Sequence, residues 1–288
     1  MIARTLRLLL LFNIPLAAAA QHLAGRVVAA GSEQPVPFAT VGIKGQPVGT
    51  TADEAGRFAF APAASLSATD SVVISCVGYR SLRLPAAALR QAGATYLLTP
   101  VVQTLREVQV RHGQVRPATL GGKVERGTAH WNTAIRDVSA VGADERGWEV
   151  ATVLPVRRSC YLDGFNLYIE ENQFRQIRLR FMLYAVEHGQ PTRLLLTDDI
   201  QFMIPSQQTG WTNVDLRGYN LHLERGQTVA AGIQWLQGEP LTAQSHRFGG
   251  PATFPALGHR TLVRDKSEAR WRSYPANAGM YLDVQEYD

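Results

Sequence analysis

Apolar side chains return at every second position through most of this chain, an alternation that restricts it to strands with one buried and one outward face. The clearest run is Ile177, Leu179, Phe181 and Leu183, with Arg178 and Arg180 on the opposite face. The same period carries Trp148 to Leu154, then Phe165, Leu167 and Ile169, and later Ile200, Phe202 and Ile204. It resumes in Leu221 and Leu223, in Val229, Ala231, Ile233 and Trp235, and in Met280, Leu282 and Val284. Turn-forming clusters such as Glu187-His188-Gly189-Gln190-Pro191 and Glu224-Arg225-Gly226-Gln227 separate the runs. A helical period shows only around residues 86–91. About nine short strands at this spacing predict a β-sandwich over residues 128–288, jelly-roll-like in plan. A small outer-membrane barrel also alternates, but Pro-containing stretches at 203–212 and 236–259 interrupt the pattern it needs.

The region before it is also β-type. Gly25-Arg26-Val27-Val28 reads as an opening strand, and Pro35 and Pro37 lead into Phe38-Ala39-Thr40-Val41. Proline fixes φ at about −65° and has no N–H for a ladder, so the pair marks a turn feeding an edge-protected strand. In Asp53-Glu54-Ala55-Gly56 the carboxylate can accept from its own turn and the glycine can take a positive φ. The segment predicts a hairpin loop before Arg57-Phe58-Ala59-Phe60, with both phenylalanines inward. Val77-Gly78-Tyr79 and Leu105-Arg106-Glu107-Val108-Gln109-Val110 follow.

In this order the motifs resemble the carboxypeptidase regulatory-like domain, a module of Gram-negative envelope proteins, over about residues 23–110. Ala52 stands where that family usually has Thr. The resemblance implies a transthyretin/prealbumin-like β-sandwich that accompanies an enzyme in some relatives without itself carrying catalysis. Phe38, Val41, Phe58, Phe60, Val73 or its neighbours, and Tyr79 are expected in its core. The expected fold class is therefore all-β, with two β-sandwich domains at 21–110 and 128–288. Residues 111–127 lack alternation and are expected to be a linker.

Residues 1–20 place Arg4 and Arg7 before an apolar run from Leu8 to Leu16 and then Ala17-Ala18-Ala19-Ala20, the layout of a signal peptide cut after Ala20. The run falls short of the roughly 20 residues that span a bilayer, so no transmembrane segment is expected after cleavage. The chain is expected in the periplasm or associated with the outer membrane or cell surface. Without Arg4 and Arg7 the balance is 27 Lys plus Arg against 24 Asp plus Glu, a net +3, too small to argue for nucleic acid. Only Lys44, Lys123 and Lys266 are lysines, so the excess rests on arginine, which suits anionic headgroups or glycans when it is not simply solvated on outward strand faces. Cys76 reads as a buried strand residue and Cys160 as an edge residue. A bridge between them would have to link the two domains, and two free thiols are the simpler outcome.

No catalytic constellation is legible. His-x-x-Glu, Gly-x-Ser-x-Gly, Cys-x-x-Cys and a phosphate loop are absent from the sequence. His222 and Glu224 share one strand face, where a solvated pair is expected. Asp198 and Asp199 with Asp163 or Asp215 offer oxygens of the kind Ca²⁺ takes, though a charged turn explains the pair with fewer assumptions. No cofactor or metal is expected. All five tryptophans lie beyond residue 130, with Trp148 and Trp235 patterned as core. Trp211 and Trp271, the latter flanked by Arg270 and Arg272 with Tyr274 close by, are the expected ligand contacts, since exposed aromatics beside arginine suit sugars or anionic partners. The expected function is a non-catalytic exported envelope protein acting as a binding or interaction module, for a glycan or an outer-membrane partner. The alternative is a glycan-active hydrolase with carboxylates dispersed over the strands.

Overall fold

The computed structural model describes residues 23–60, 66–90, 93–101, 115–133, 146–242 and 247–287. The expected signal peptide, the Leu105–Val110 motif and residues 111–114 of the expected linker lie outside the described residues. The fold is all-β, and the helical period near residues 86–91 resolves into a single 3-10 turn, Ala86–Arg90.

The first sandwich comprises β1 (Leu23–Ala29), β2 (Thr40–Ile43), β3 (Gly49–Thr51), β4 (Arg57–Phe60), β5 (Ser71–Ser75), β6 (Leu82–Pro85) and β7 (Thr95–Leu98). One sheet runs β4-β1-β7 and the other β3-β2-β5-β6. Between them are packed Val27, Val41, Ile43, Val72, Ile74 and Phe58, whose ring is tilted on Tyr96 at 5.8 Å. The Asp53 turn forms as its residues predict. Its Oδ1 accepts from the N–H of Ala55 at 2.9 Å and of Arg57 at 2.7 Å, and Gly56 has φ 71°. It does not close a hairpin, however, because β3 pairs with β2 while β4 pairs with β1. The Gly56 carbonyl accepts from Val27 N–H at 2.7 Å, which draws the chain across to the other sheet.

Three expected core residues need correction. Phe60 and Tyr79 are only partly buried against the edge of the core. Phe38 is buried outside it: its backbone is left-handed, φ 54°, and its ring lies under the Arg178 guanidinium at 5.0 Å.

The second sandwich opens with β8 (Arg116–Gly121), β9 (Ala129–Asn132), β10 (Glu149–Pro155) and β11 (Cys160–Ile169). β12 (Glu171–Asn172), β13 (Phe174–Glu187), β14 (Gln190–Leu194), β15 (Gln201–Pro205) and β16 (Gly210–Asp215) follow. β17 (His222–Leu223), β18 (Thr228–Pro240), β19 (Phe248–Thr253), β20 (Thr261–Arg264), β21 (Arg272–Tyr274), β22 (Asn277–Ala278) and β23 (Met280–Glu286) complete it. The larger sheet runs β14-β13-β18-β10-β20-β21, with β15 also on β13, and faces a sheet ordered β16-β11-β23-β8. A small sheet of β12, β19, β22 and β9 stands beside them. The alternating residues meet between the two large sheets as expected: Phe165 packs on Phe181 at 4.9 Å, and Trp148 and Trp235 are each 1% exposed. Each such side chain contributes roughly 1.5–3 kcal/mol on burial.

Residues 116–121 were expected within the linker but form β8, paired along β23 from Arg116↔Glu286 to Gly121↔Tyr281. Pro117 and the Gly121-Gly122 pair hide the alternation there, and an edge strand tolerates them. Cys160, expected at an edge, is fully buried on β11 between two neighbouring strands, because it shares the inner face with Leu162. Cys76 lies just past β5 and is only partly buried, and both thiols are free.

The two sandwiches meet where Phe38 and β2 approach the outer face of β13 and the segment after β20. Gly42 on β2 allows the approach, since a Cβ there would lie 2.9 Å from Glu268 Cγ. Gly45 N–H donates to the Glu268 carbonyl at 2.8 Å, and Arg146 Nη1 to the Thr51 carbonyl at 3.3 Å.

Candidate functional site

The outward face of β13, which sequence alone reads as solvated, is where the sandwiches meet. Arg180 is 1% exposed. Its Nε and Nη2 donate to Asp199 at 2.5 and 2.8 Å, its Nη1 to Gln234 Oε1 at 2.7 Å, and both terminal nitrogens to the Phe38 carbonyl at 3.3 Å. The left-handed backbone at Phe38 thus presents a carbonyl of the first sandwich to a buried cation of the second.

From Gln234 the network continues. Its Nε2 donates to Glu149 Oε1 at 2.7 Å and to Ser267 Oγ at 3.1 Å. Glu149, 1% exposed, also accepts from Arg264 Nη2 at 2.7 Å and from the Tyr184 hydroxyl at 2.8 Å. Charges this deep are costly unless paired and hydrogen-bonded, and here each arginine has its carboxylate. Burial opposes the Arg180 charge, but hydrogen bonding and attraction to Asp199 hold its pKa above the ordinary value. Arg264 is likewise held up against burial by Glu149. Burial, reinforced by Glu149, pushes the Tyr184 phenol well up. Arg180 and Arg264 therefore stay charged, and the Tyr184 phenol neutral, across the neutral range.

Beside this seam opens a cleft of about 560 Å³ whose lining comes from both sandwiches. Arg83 on β6 and Tyr79 face it from the first, and Arg193 on β14, Arg264, Glu268 and Trp271 from the second. The Arg264 guanidinium lies 4.4 Å from the centre of the Trp271 ring, and Tyr184 meets that indole edge-on at 5.8 Å. Arg264 is already bound by Glu149, whereas Arg83 and Arg193 form no ion pair among the described residues. Burial pushes the Cys76 thiol up to about 11 despite nearby Arg180, so it stays protonated and a poor nucleophile at neutral pH. Burial also raises the Glu268 carboxyl, with Arg264 opposing.

The expected contact residues are dispersed. Trp271 lines the cleft, while Arg270 is exposed next to it. Arg272 is held bidentately by Asp265 at 2.5 and 2.8 Å, and with Tyr274 it lines a separate hollow of about 200 Å³ together with Trp131 and Phe254. Successive strand residues point to opposite faces, which is why the group divides. Trp211 is elsewhere again, on the outer face of the β11–β16 sheet. Its Nε1 donates to Glu125 at 2.8 Å, and it meets Tyr168 and Tyr281 edge-on at 5.2 and 5.0 Å. Trp211 and Trp271 therefore occupy opposite outer faces of one sandwich and do not form a single contact surface.

The Asp198-Asp199 pair is likewise kept from Asp163 and Asp215, which sit on the opposite sheet. Asp199 is engaged by Arg180 and Gln201, Asp163 by Gln285 and Asp215 by Arg217. His222 is covered by Tyr161 and Tyr287 rather than solvated, with Glu224 at 3.4 Å. Sequence reasoning missed Arg180, Glu149, Arg264, Arg83, Arg193 and Glu268. The available signal was Gly42, a glycine inside an alternating strand, which marks the close approach of another backbone or side chain.

Residues 23–110 match the family model of the CarboxypepD_reg-like domain, so the first sandwich is such a module. The match spans the first sandwich and no strand of the second. No curated protein matches the chain. No helix among the described residues is long and apolar enough to cross a membrane.

Proposed function

We propose that this chain is an exported, non-catalytic envelope protein whose regulatory-like module and second sandwich act as one binding unit, the cleft between them taking an anionic glycan. The observation that carries this reading is the grouping of two guanidinium groups that form no ion pair among the described residues, Arg83 and Arg193, with the aromatic rings of Tyr79 and Trp271 around a cleft of about 560 Å³. Planar guanidinium groups suit carboxylate and phosphate substituents, and ring faces suit the apolar face of a sugar. The buried seam supports it by holding both walls in register at little reorganisation cost on binding. A hydrolase would need a second carboxylate facing Glu268 across the cleft. Glu149 does not serve, being 1% exposed and held by Gln234, Tyr184 and Arg264.

The test is an array of neutral, uronic-acid-bearing and phosphorylated oligosaccharides, probed with the wild type, Trp271→Ala and the Arg83→Ala/Arg193→Ala pair. Selective capture of anionic glycans, lost in both variants while their melting temperatures stay near wild type, is expected. Capture unchanged by either variant, or of neutral glycans alone, would remove the cleft from consideration.

A further inference from the structure

The segment joining β19 to β20 is unlike the rest of the surface. Leu257 is 98% exposed and Phe254 48%, on either side of Pro255 and Ala256. A Cβ on the neighbouring Gly258 would meet nothing within 4 Å, so the tip stands clear of the body. Its base is fixed. Thr128 Oγ1 donates to the Phe254 carbonyl at 2.7 Å, Phe254 N–H returns to that oxygen at 2.9 Å, and Ala256 N–H donates to the Pro275 carbonyl at 2.8 Å. The loop is thus pinned at its base, with Leu257 at an open tip and Phe254 half exposed at the edge of the Arg272 hollow.

Its surroundings are cationic. Arg126, exposed, lies two residues before Thr128, and Arg260, also exposed, ends the loop. Arg260 Nη1 reaches the hairpin at Gly189, coming within 2.5 Å of where a Cβ there would sit, beside exposed His188. Of the acids next to these residues in sequence, Glu125 is engaged by Trp211 and Glu187 is exposed in that hairpin.

We propose that residues 254–258 form a membrane-contact tip, with Phe254 and Leu257 entering the interface of an anionic bilayer while Arg126 and Arg260 meet its phosphates. Shape and charge select this occupant. A specific protein interface needs on the order of 1,000 Å² of complementary surface, which a short loop with two exposed apolar side chains does not supply. A fluid bilayer closes around such a tip, and basic residues at its rim add attraction to anionic lipid.

The full chain would be spun with vesicles of phosphatidylglycerol and phosphatidylcholine, and with phosphatidylcholine alone. Binding to the anionic vesicles is expected, reduced at least tenfold by Phe254→Ser/Leu257→Ser, on the order of the loss for two partly inserted side chains. Arg126→Gln/Arg260→Gln should abolish the preference for phosphatidylglycerol. All four positions are exposed, so circular dichroism and melting temperature should not change. Wild-type chain that stays in the supernatant with both vesicles, or variants that sediment as well as wild type, would overturn the proposal. So would a wild type that elutes as an oligomer which the serine pair converts to monomer, because the tip would then be a contact between copies.

Discussion

Arg180→Met removes the cation that joins the two sandwiches while keeping most of the side chain's volume. In the intact protein five hydrogen bonds converge on this guanidinium from Asp199, Gln234 and the Phe38 carbonyl. Truncation leaves the Gln234 amide oxygen and the Phe38 carbonyl without this donor and the Asp199 carboxylate with Gln201 alone. Breaking a buried pair by removing one partner costs about 3–5 kcal/mol. Asp199 is 25% exposed and can regain water, which places the expected loss at the lower end, about 3 kcal/mol. For a protein of this size that is a fall of roughly 6–12 °C in melting temperature. Calorimetry should also show the single wild-type transition broadening or dividing, since the sandwiches keep separate cores but lose their seam. Hydrogen exchange should quicken at Phe38 to Gly42. Arg180→Met/Asp199→Asn should recover part of the loss, because no carboxylate is then stranded. A loss below about 1 kcal/mol with unchanged exchange at Phe38 would refute the view that Arg180 holds the domains together.

Glu268→Gln tests the electrostatics of the cleft. Burial raises the Glu268 carboxyl above its unfolded value, so between the two values the native state holds more protons and stability falls as pH rises. The Gln variant should therefore melt higher than wild type at pH 7.5 and match it below about pH 4, and thermal melts at both pH values check this. Gly232→Ala would put a Cβ 2.0 Å from the Val150 carbonyl in the middle of the largest sheet, so a loss of about 3 kcal/mol, or no soluble protein, is expected in urea titration. Phe58→Ala should cost about 3–5 kcal/mol by the same assay, because its ring is 4% exposed and packs on Tyr96.

Period-two patterning made the inner faces legible, which is why Ile177, Leu179, Phe181 and Leu183 point where they were expected to. The same pattern assigns Arg178 and Arg180 to the outer face without saying what covers it. Alternation separates two sides of a strand, whereas the burial of Arg180 depends on a second domain far away in sequence. The Asp53 turn shows the same division: its hydrogen bonds follow from local chemistry, but which sheet each flanking strand joins depends on the contact between Gly56 and β1. Trp211 and Trp271 read alike in sequence as exposed aromatics, and only the sheet order puts them on opposite faces. The polar Asp265-Lys266-Ser267 run, outside any alternating segment, is buried at 5%, 1% and 6%, with Lys266 Nζ donating to the Arg146 carbonyl at 2.8 Å.

In the proposed function, the two sandwiches together offer Arg83 and Arg193 to an anionic ligand in the cleft. Isothermal titration of the full chain with an oligogalacturonide, at about 0.05 and 0.5 M NaCl, tests it most directly by separating charge contacts from packing, since exposed charge interactions are screened within about 10 Å at 0.1 M salt. Binding at low salt that weakens markedly at high salt and is lost in Arg83→Ala/Arg193→Ala is expected. Heats that show no binding at either salt, or binding that neither salt nor the arginine substitutions change, would contradict it.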